Sequence, residues 1–178
     1  MTTNRDEVPY FGAGVIVEGT YSQTFEGRNS KFISAGHLCY KEETPYFGFR
    51  AENQKLLSVC VSSNPSYIVY RYGKHENVEL EYPGGKTADS WGSFEYYRYL
   101  RGGGAMNAGL DLNSLSFVNG GYKYELHDDY DAVENQYYRS IRVIDLKTNQ
   151  ETVIKALDSG AVGGLTRLQG SRVKQAAS

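Results

Sequence analysis

The strongest constraint on the fold is the stretch LSFVNGGYKYEL at residues 115–126, in which apolar and polar side chains alternate on both sides of a turn. Alternation with a period of two places every second side chain on the same face of a β-strand. Asn119-Gly120 favours a two-residue hairpin turn, because the central residues of such a turn take positive φ angles. We therefore predict a tight β-hairpin that carries Phe117 before the turn and Tyr122 after it.

Residues 45–62 form a second predicted hairpin around the polar turn ENQK. If the phenylalanines face the core, the register that gives them apolar partners places Phe47 opposite Val59. A three-residue loop then joins the strands, and Asn53 or Gln54 is expected to take the left-handed conformation in it.

Residues 67–83 form a third predicted hairpin, joined by GKHEN. Matching the apolar positions places Tyr72 opposite Val78 and Arg71 opposite Glu79. We expect the arginine and the glutamate to form an exposed ion pair.

The composition extends this pattern to the whole chain, which contains 16 tyrosines and 20 glycines. Tyrosine suits pleated, half-wet surfaces, and glycine marks turns. Residues 93–100 and a hairpin at 140–157 add further strands. We predict an all-β fold, an antiparallel β-sandwich or flattened barrel of roughly eight to ten strands with little helix. Residues 1–178 are expected to form one domain, with an ordered core at about 8–168 and a frayed or weakly helical tail at 169–178.

The charge balance argues against several classes of function. The chain has 19 basic and 21 acidic residues, which leaves no electrostatic footprint for nucleic acid or for a membrane surface. No apolar run approaches the length of a membrane span, and the beginning of the chain lacks the regions of a signal peptide. The glycine-rich run at residues 101–112 lacks the spacing of a phosphate-binding loop. We expect no cofactor, no nucleic-acid partner and no membrane insertion.

Cys39 and Cys60 are the two cysteines of the chain. They lack the clustered spacing of a zinc site, and His37 alone does not supply the missing ligands. A nucleophilic role for Cys39 with His37 as base would need a third, orienting group that the sequence does not identify. A disulfide and two buried free thiols therefore both stay open.

The stretch ELHDDYDAVENQYY at residues 125–138 concentrates acidic side chains. Asp128, Asp129 and Asp131 are candidate calcium ligands, although the glycine and final glutamate of an EF-hand are absent. The same stretch is a candidate for glycoside hydrolysis by paired carboxylates. The groups available for that chemistry are Asp128, Asp129, Asp131, Glu134 and His127. We favour a solvated acidic loop that connects two strands.

The tyrosines are the main candidates for a binding surface. Their number exceeds what one core of this size requires, because every buried hydroxyl needs a hydrogen-bond partner. We predict that a tyrosine face and three loops, at residues 101–109, 128–138 and 159–164, bind a partner. The predicted binding residues are Tyr96, Tyr97, Tyr99, Tyr130, Tyr137, Tyr138, Ser159 and Gly160.

The pieces SVC at residues 58–60, YRYG at 70–73 and NGGY at 119–122 resemble a family of small, uncharacterised and mostly exported bacterial proteins. The resemblance covers residues 39–126 and implies a periplasmic or secreted β domain without known catalysis. The chain departs from the family pattern at Phe49, where the pattern has a cysteine, and in lacking an export signal. A cytoplasmic location therefore stays open.

Three functional hypotheses follow. The favoured one is a non-catalytic binding module that recognises a protein or a glycan at the bacterial cell envelope. The second is a carbohydrate-active hydrolase or lyase that uses the acidic stretch, and it requires two converging carboxylates. The third is a structural protein that associates with copies of itself through a tyrosine face or a β edge. A single planar patch of surface tyrosines would favour the first hypothesis.

Overall fold

The computed structural model describes residues 15–17, 36–103, 108–157 and 161–176. The described strands are β1 (Val15–Val17), β2 (Glu43–Arg50), β3 (Leu56–Ser62), β4 (Ile68–Gly73), β5 (Val78–Tyr82), β6 (Glu95–Arg101), β7 (Leu110–Asn119), β8 (Tyr122–Asp131), β9 (Gln136–Asp145), β10 (Glu151–Lys155), β11 (Val162–Gly163) and β12 (Lys174–Gln175). Two short 3₁₀ helices lie at Ala88–Ser93 and Leu165–Leu168. No helix in these ranges is long and apolar enough to cross a membrane.

The strands form two sheets. The first sheet has the order β1-β5-β4-β3-β2-β11, and the second has the order β10-β9-β8-β7-β6-β12. Neighbouring strands are antiparallel except for β12, which runs parallel to β6. The prediction of an all-β sandwich with little helix is confirmed, and nine of the strands have five or more residues.

The core lies between the inner faces of the two sheets and is rich in aromatic rings. Phe117 of the second sheet stacks on Tyr82 of the first, with ring centroids 4.4 Å apart. It also stacks on its cross-strand partner Tyr124 at 4.7 Å. This contact explains how the chain uses part of its tyrosine content, since the rings bury a large apolar area and interlock the two sheets.

The hairpin of β2 and β3 has the predicted register. Phe47 pairs with Val59, and Phe49 pairs with Leu57. Gln54 takes the left-handed conformation in the connecting loop, with a φ of 67°. Local pattern and turn chemistry were sufficient here, because the inner face of both strands is apolar.

The predicted register of β4 and β5 is wrong by two residues. Tyr72 pairs with Leu80, and Arg71 pairs with Glu81 rather than with Glu79. The register shifts beside Gly73, whose φ of 138° favours glycine. Arg71 is completely buried, so the expected exposed ion pair is also wrong.

The hairpin of β7 and β8 is confirmed, but its turn lies one residue later than predicted. Gly120 and Gly121 occupy the two central positions, with φ angles of 57° and 85°. Asn119 is the last residue of β7 and pairs with Tyr122. Two glycines satisfy the positive φ angles at a lower steric cost than Asn-Gly, which explains the shift.

Two segments predicted to be irregular contain strands. Most of the acidic stretch belongs to β8 and β9, and only residues 132–135 form the turn between them. The tail was expected to be frayed or helical, but Val173 is buried and Lys174 pairs with Glu95 of β6. Backbone pairing with a neighbouring strand outweighs the polar composition in both segments.

Candidate binding cleft

The inner face of the second sheet changes from apolar to polar at one end. The last apolar row across the sheet is Leu115, Leu126 and Ile141. The next row on the same face is Arg98, Asn113, Asp128 and Arg139. The final row is Asp111, Tyr130 and Tyr137. Because alternate residues of a strand share a face, these polar and aromatic side chains continue the core surface beyond the region that the first sheet covers.

The opposite wall is the segment that follows β11. Gly163 pairs with Phe47 and has a φ of 67°, and a Cβ atom there would collide with the Tyr46 carbonyl oxygen. Glycine is therefore required for this close approach. Leu165 and Leu168, which are fully buried, anchor the following 3₁₀ helix in the core.

A cleft of about 300 Å³ lies between this segment and the polar end of the sheet. Its lining consists of Asp111, Asn113, Asp128, Tyr130, Tyr137, Arg139, Gly163, Gly164, Thr166 and Arg167. The volume is at the lower end of the range for small-molecule sites. Two of the three predicted binding loops, at residues 128–138 and 159–164, contribute to the lining. The third predicted loop, at residues 101–109, lies beside the turn between β8 and β9, since Ala132 N donates to Gly109 O at 3.1 Å.

Two tyrosines form the aromatic part of the cleft. Tyr130 and Tyr137 are cross-strand partners on β8 and β9, with ring centroids 4.9 Å apart. The guanidinium group of Arg139 lies over the Tyr137 ring at 4.3 Å. Tyr137 is 52% exposed, so about half of its surface is open to a ligand. The cleft thus combines aromatic faces with a cation, a set of groups typical of small-molecule sites.

The two carboxylates of the cleft are held by arginines. Arg98 donates to both oxygens of Asp111, at 2.8 and 2.7 Å. This hydrogen bonding lowers the pKa of Asp111, against the smaller opposing effect of burial. Asp128 is buried and accepts from Arg139 Nε at 2.8 Å and from Leu165 N at 3.0 Å. Both carboxylates are therefore structural anchors that position the two walls.

The predicted tyrosine face is divided among three places. Tyr96 was predicted to bind a partner, but it is 2% exposed and donates to Asn113 Oδ1 in the core. It points inward because it pairs with Leu115 in the apolar row. Tyr130 and Tyr137 line the cleft, whereas the outer face of the same sheet carries the remaining three: Tyr97, Tyr99 and Tyr138.

The outer tyrosines do not form one patch. Tyr99 lies on β6 and Tyr138 lies on β9, and the two strands β7 and β8 separate them. Leu112 and Asp129 occupy the positions between them in the same row. Ser159 and Gly160, the other predicted binding residues, lie outside the described residues.

The acidic residues predicted as metal ligands or catalytic groups do not all lie on one face of the sheet. Asp128 lies on the inner face, and Asp129 lies on the outer face, 3.7 Å from His127. Burial raises the pKa of Asp129, and His127 opposes this effect. Asp131 Oδ1 accepts from Val133 N and Glu134 N in the turn. Alternation separates Asp128 from Asp129 and Asp131, which share the outer face, so the three predicted metal ligands do not surround one position.

A second polar cluster lies on the outer face of the first sheet, where residues 36–41 cover β3 and β4. Arg71 donates to both oxygens of Glu43, at 2.5 and 2.8 Å, and to Glu81 at 2.6 Å. Its guanidinium group lies 3.8 Å from the centre of the Tyr40 ring. Burial alone would raise the pKa of Glu43, but the hydrogen bonds from Arg71 lower it below its ordinary value. The cluster is closed to solvent and satisfied internally.

Cys39 and Cys60 form a disulfide that joins this covering segment to β3, with a Cα–Cα distance of 5.5 Å. The sequence left open a disulfide or two buried free thiols, and the structure contains the disulfide. Glu43 lies near both sulfur atoms, but a disulfide has no thiolate to offer a metal ion. The three groups therefore do not form a metal centre.

Sequence reasoning missed Arg139, Asp111 and Arg167 as lining residues of the cleft. Arg139 had a detectable signal, since the register of a β8–β9 hairpin would place it opposite Asp128. Arg167 had none, because it reaches the cleft only through the crossing of the chain from β11 to the second 3₁₀ helix.

Comparisons with protein-family models, with curated proteins and with solved structures each found no match to this chain.

Proposed function

We propose that the protein is a non-catalytic binding module that takes a glycan in the cleft between β7–β9 and the segment after β11. The observation that carries the proposal is the pair formed by Tyr130 and Tyr137 in the lining of a cleft that also contains polar and charged side chains. A sugar ring has an apolar C–H face that stacks on an aromatic ring, and hydroxyl groups around its edge that need hydrogen bonds. The cleft offers both kinds of contact.

Rigid support favours a binding role for this cleft. The tyrosines lie on paired strands rather than in a long loop, and Asp128 ties the sheet to the opposite wall through Leu165 N. A site held in place before the ligand arrives loses little entropy on binding. Both cleft carboxylates are engaged by arginines, which favours binding over acid–base catalysis.

The test is a screen of the wild-type protein against a glycan array, followed by isothermal titration calorimetry with the best ligand. Tyr137→Ser removes the exposed aromatic ring and should weaken binding about fivefold, because an aromatic contact contributes on the order of 1 kcal/mol. Tyr99→Ser is the matched control, since Tyr99 is 40% exposed on the outer face of the same sheet. It should bind as the wild type does.

Two outcomes would contradict the proposal. The first is that the wild type binds no glycan on the array. The second is that Tyr99→Ser weakens binding as much as Tyr137→Ser, which would place the ligand elsewhere.

We further propose that the protein works in an oxidising compartment, such as the periplasm or outside the cell. The proposal is supported by the buried bridge between Cys39 and Cys60, since structural disulfides persist in such compartments. Intact mass after alkylation without reduction tests it on protein isolated from its native source. No added alkyl group is expected, even after denaturation, whereas two added groups would overturn the assignment.

A further inference from the structure

The carboxylate oxygens and the side-chain amide oxygen of the cleft lining already accept hydrogen bonds from the protein. Asp128 uses one oxygen for Arg139 and the other for Leu165 N. Both oxygens of Asp111 accept from Arg98. Asn113 Oδ1 accepts from the Tyr96 hydroxyl. Side chains that would otherwise accept hydrogen bonds from a ligand are thus committed to the protein.

Several donors of the cleft have no such commitment. Arg139 donates through Nε, and its two Nη atoms have no acceptor within the part of the chain that the structure describes. Arg167 donates through Nη1 to Pro45 O at 3.0 Å, and its remaining N–H groups have no acceptor in the same ranges. Both side chains line the cleft. Five N–H donors in a fixed fork are available on each guanidinium, so these two residues leave several directed at a ligand or at water.

The charges show the same imbalance. Arg98 neutralises Asp111, and Arg139 neutralises Asp128. Arg98 is not itself a lining residue, and Arg167 has no carboxylate within ion-pair distance among the described residues, so the two paired carboxylates leave the charge of Arg167 unbalanced. An uncompensated arginine beside free N–H donors favours a ligand that brings a negative charge and acceptor atoms.

We propose that the ligand of this cleft is an acidic sugar, a glycan residue whose carboxylate binds Arg139 and Arg167 while its ring stacks on Tyr137. The inference rests on the proposed glycan-binding function and specifies the ligand class for it. A carboxylate suits the site because its two oxygens match the planar fork of a guanidinium group. Neutral sugars bring no charge to the guanidinium groups, and their hydroxyl groups would share the carboxylate oxygens of the cleft with the protein groups that already bond them.

The test compares matched sugars by calorimetry on the wild-type protein at low salt. The probes are oligosaccharides of galacturonic acid, the same oligosaccharides as methyl esters, and the corresponding neutral galactose oligosaccharides. The acid form should bind at least about tenfold more tightly than the ester, because charge-assisted hydrogen bonds are roughly twice as strong as neutral ones. Its affinity should fall as salt is raised, whereas that of the ester should change little. Glucuronic and mannuronic acid oligosaccharides, each with its ester, extend the comparison to other ring geometries.

Two variants locate the carboxylate. Arg167→Gln removes the uncompensated charge and should reduce the preference for acid over ester about tenfold. Arg139→Lys keeps a cation beside the buried Asp128 but removes the planar fork, and it should weaken acid binding in the same direction. Arg142→Gln is the control, because Arg142 lies on the outer face of β9 with Glu125 as its partner. It should keep the wild-type preference, and thermal unfolding checks that all three variants fold.

Equal affinity for acid and ester would overturn this inference and leave glycan binding in place. An acid preference that survives Arg167→Gln and Arg139→Lys would also overturn it, because the carboxylate would then bind elsewhere. Binding of no acidic sugar together with binding of a neutral glycan on the array would overturn the ligand class alone. Binding of no glycan at all would overturn the proposed function with it.

Discussion

The outer face of the first sheet and the cleft on the second sheet contain the same chemical groups, but the first is a closed cluster and the second is open to solvent. Each has an arginine between a tyrosine ring and a carboxylate: Arg71 with Tyr40 and Glu43, and Arg139 with Tyr137 and Asp128. Around Arg71, all three guanidinium nitrogens donate to protein acceptors, and the residue is completely buried. Around Arg139, only Nε donates to an acceptor in the described ranges, and the side chain is 20% exposed.

Composition alone therefore does not separate a structural cluster from a binding site. What separates them is the number of hydrogen-bonding groups that remain for a ligand and the presence of space beside them. The Arg71 cluster is covered by residues 36–41 and fixed there by the disulfide. The Arg139 cluster faces a cleft of about 300 Å³.

The largest effect is expected from Arg71→Met. The change leaves Glu43 and Glu81 buried without their cation, which should lower the free energy of unfolding by about 3–5 kcal/mol. Urea unfolding measures it. Arg142→Met is the matched control, because the Arg142 side chain is 38% exposed and Glu125 keeps Lys123 as a second cation, and it should cost less than about 1 kcal/mol.

A loss of this size could unfold Arg71→Met completely, so a second variant is needed to test the cause. Replacing the whole cluster with Glu43→Gln, Arg71→Met and Glu81→Gln removes the unpaired charges and should restore much of the lost stability. If the triple variant is less stable than Arg71→Met alone, the buried charges are not the cause of the loss.

A smaller effect is expected from Cys39→Ala with Cys60→Ala. The bridge closes a loop of 21 positions, and its loss should lower the free energy of unfolding by about 3 kcal/mol. Glycan binding in the cleft should be unchanged, because the bridge lies on the other sheet. Limited proteolysis should cut the released segment at residues 36–41 first. Loss of glycan binding without global unfolding would show that the two regions are coupled.

The sequence predicted the register of β2 and β3 but not the burial of Arg71, and the difference has a physical reason. Periodicity indicates which side chains share a face, and it placed Phe47 opposite Val59 correctly. It does not indicate what covers that face. Arg71 was therefore expected at the surface, because the covering segment reaches it from 33 positions away in the chain.

The same limit applies to the cleft. The hairpin of β8 and β9 was within reach of local reasoning, and the loops at 128–138 and 159–164 were predicted to bind. Their meeting was not predicted, because it depends on the contact between Asp128 and Leu165 N, 37 positions apart. Tyr96 and Tyr97 are identical, adjacent residues, so the sequence does not distinguish them. The pairing of β6 with β7 places Tyr96 in the core, opposite Leu115.

The smallest expected effect is a dependence of stability on pH that originates in the covered region. Burial lowers the pKa of His37 below its ordinary value of 6.5, with His75 acting in the same direction and Glu43 opposing it. The unprotonated ring is required because His37 Nδ1 accepts a hydrogen bond from Cys39 N at 3.1 Å. Below about pH 7 the unfolded chain therefore binds more protons at this position than the folded protein does, and stability falls as the pH is lowered.

His37→Asn isolates this contribution. The amide oxygen of asparagine can accept the bond from Cys39 N, and the side chain does not titrate. The free energy of unfolding of the wild type, measured by urea between pH 7.5 and 5.5, should fall more steeply than that of the variant. Glu43 does not interfere, because its lowered pKa makes its stabilisation decline only as the pH falls through the acid range below its ordinary value of 4.5. Equal slopes for the two proteins would mean that the His37 ring is not held unprotonated by the fold, and the covered region would then be more open than its geometry indicates.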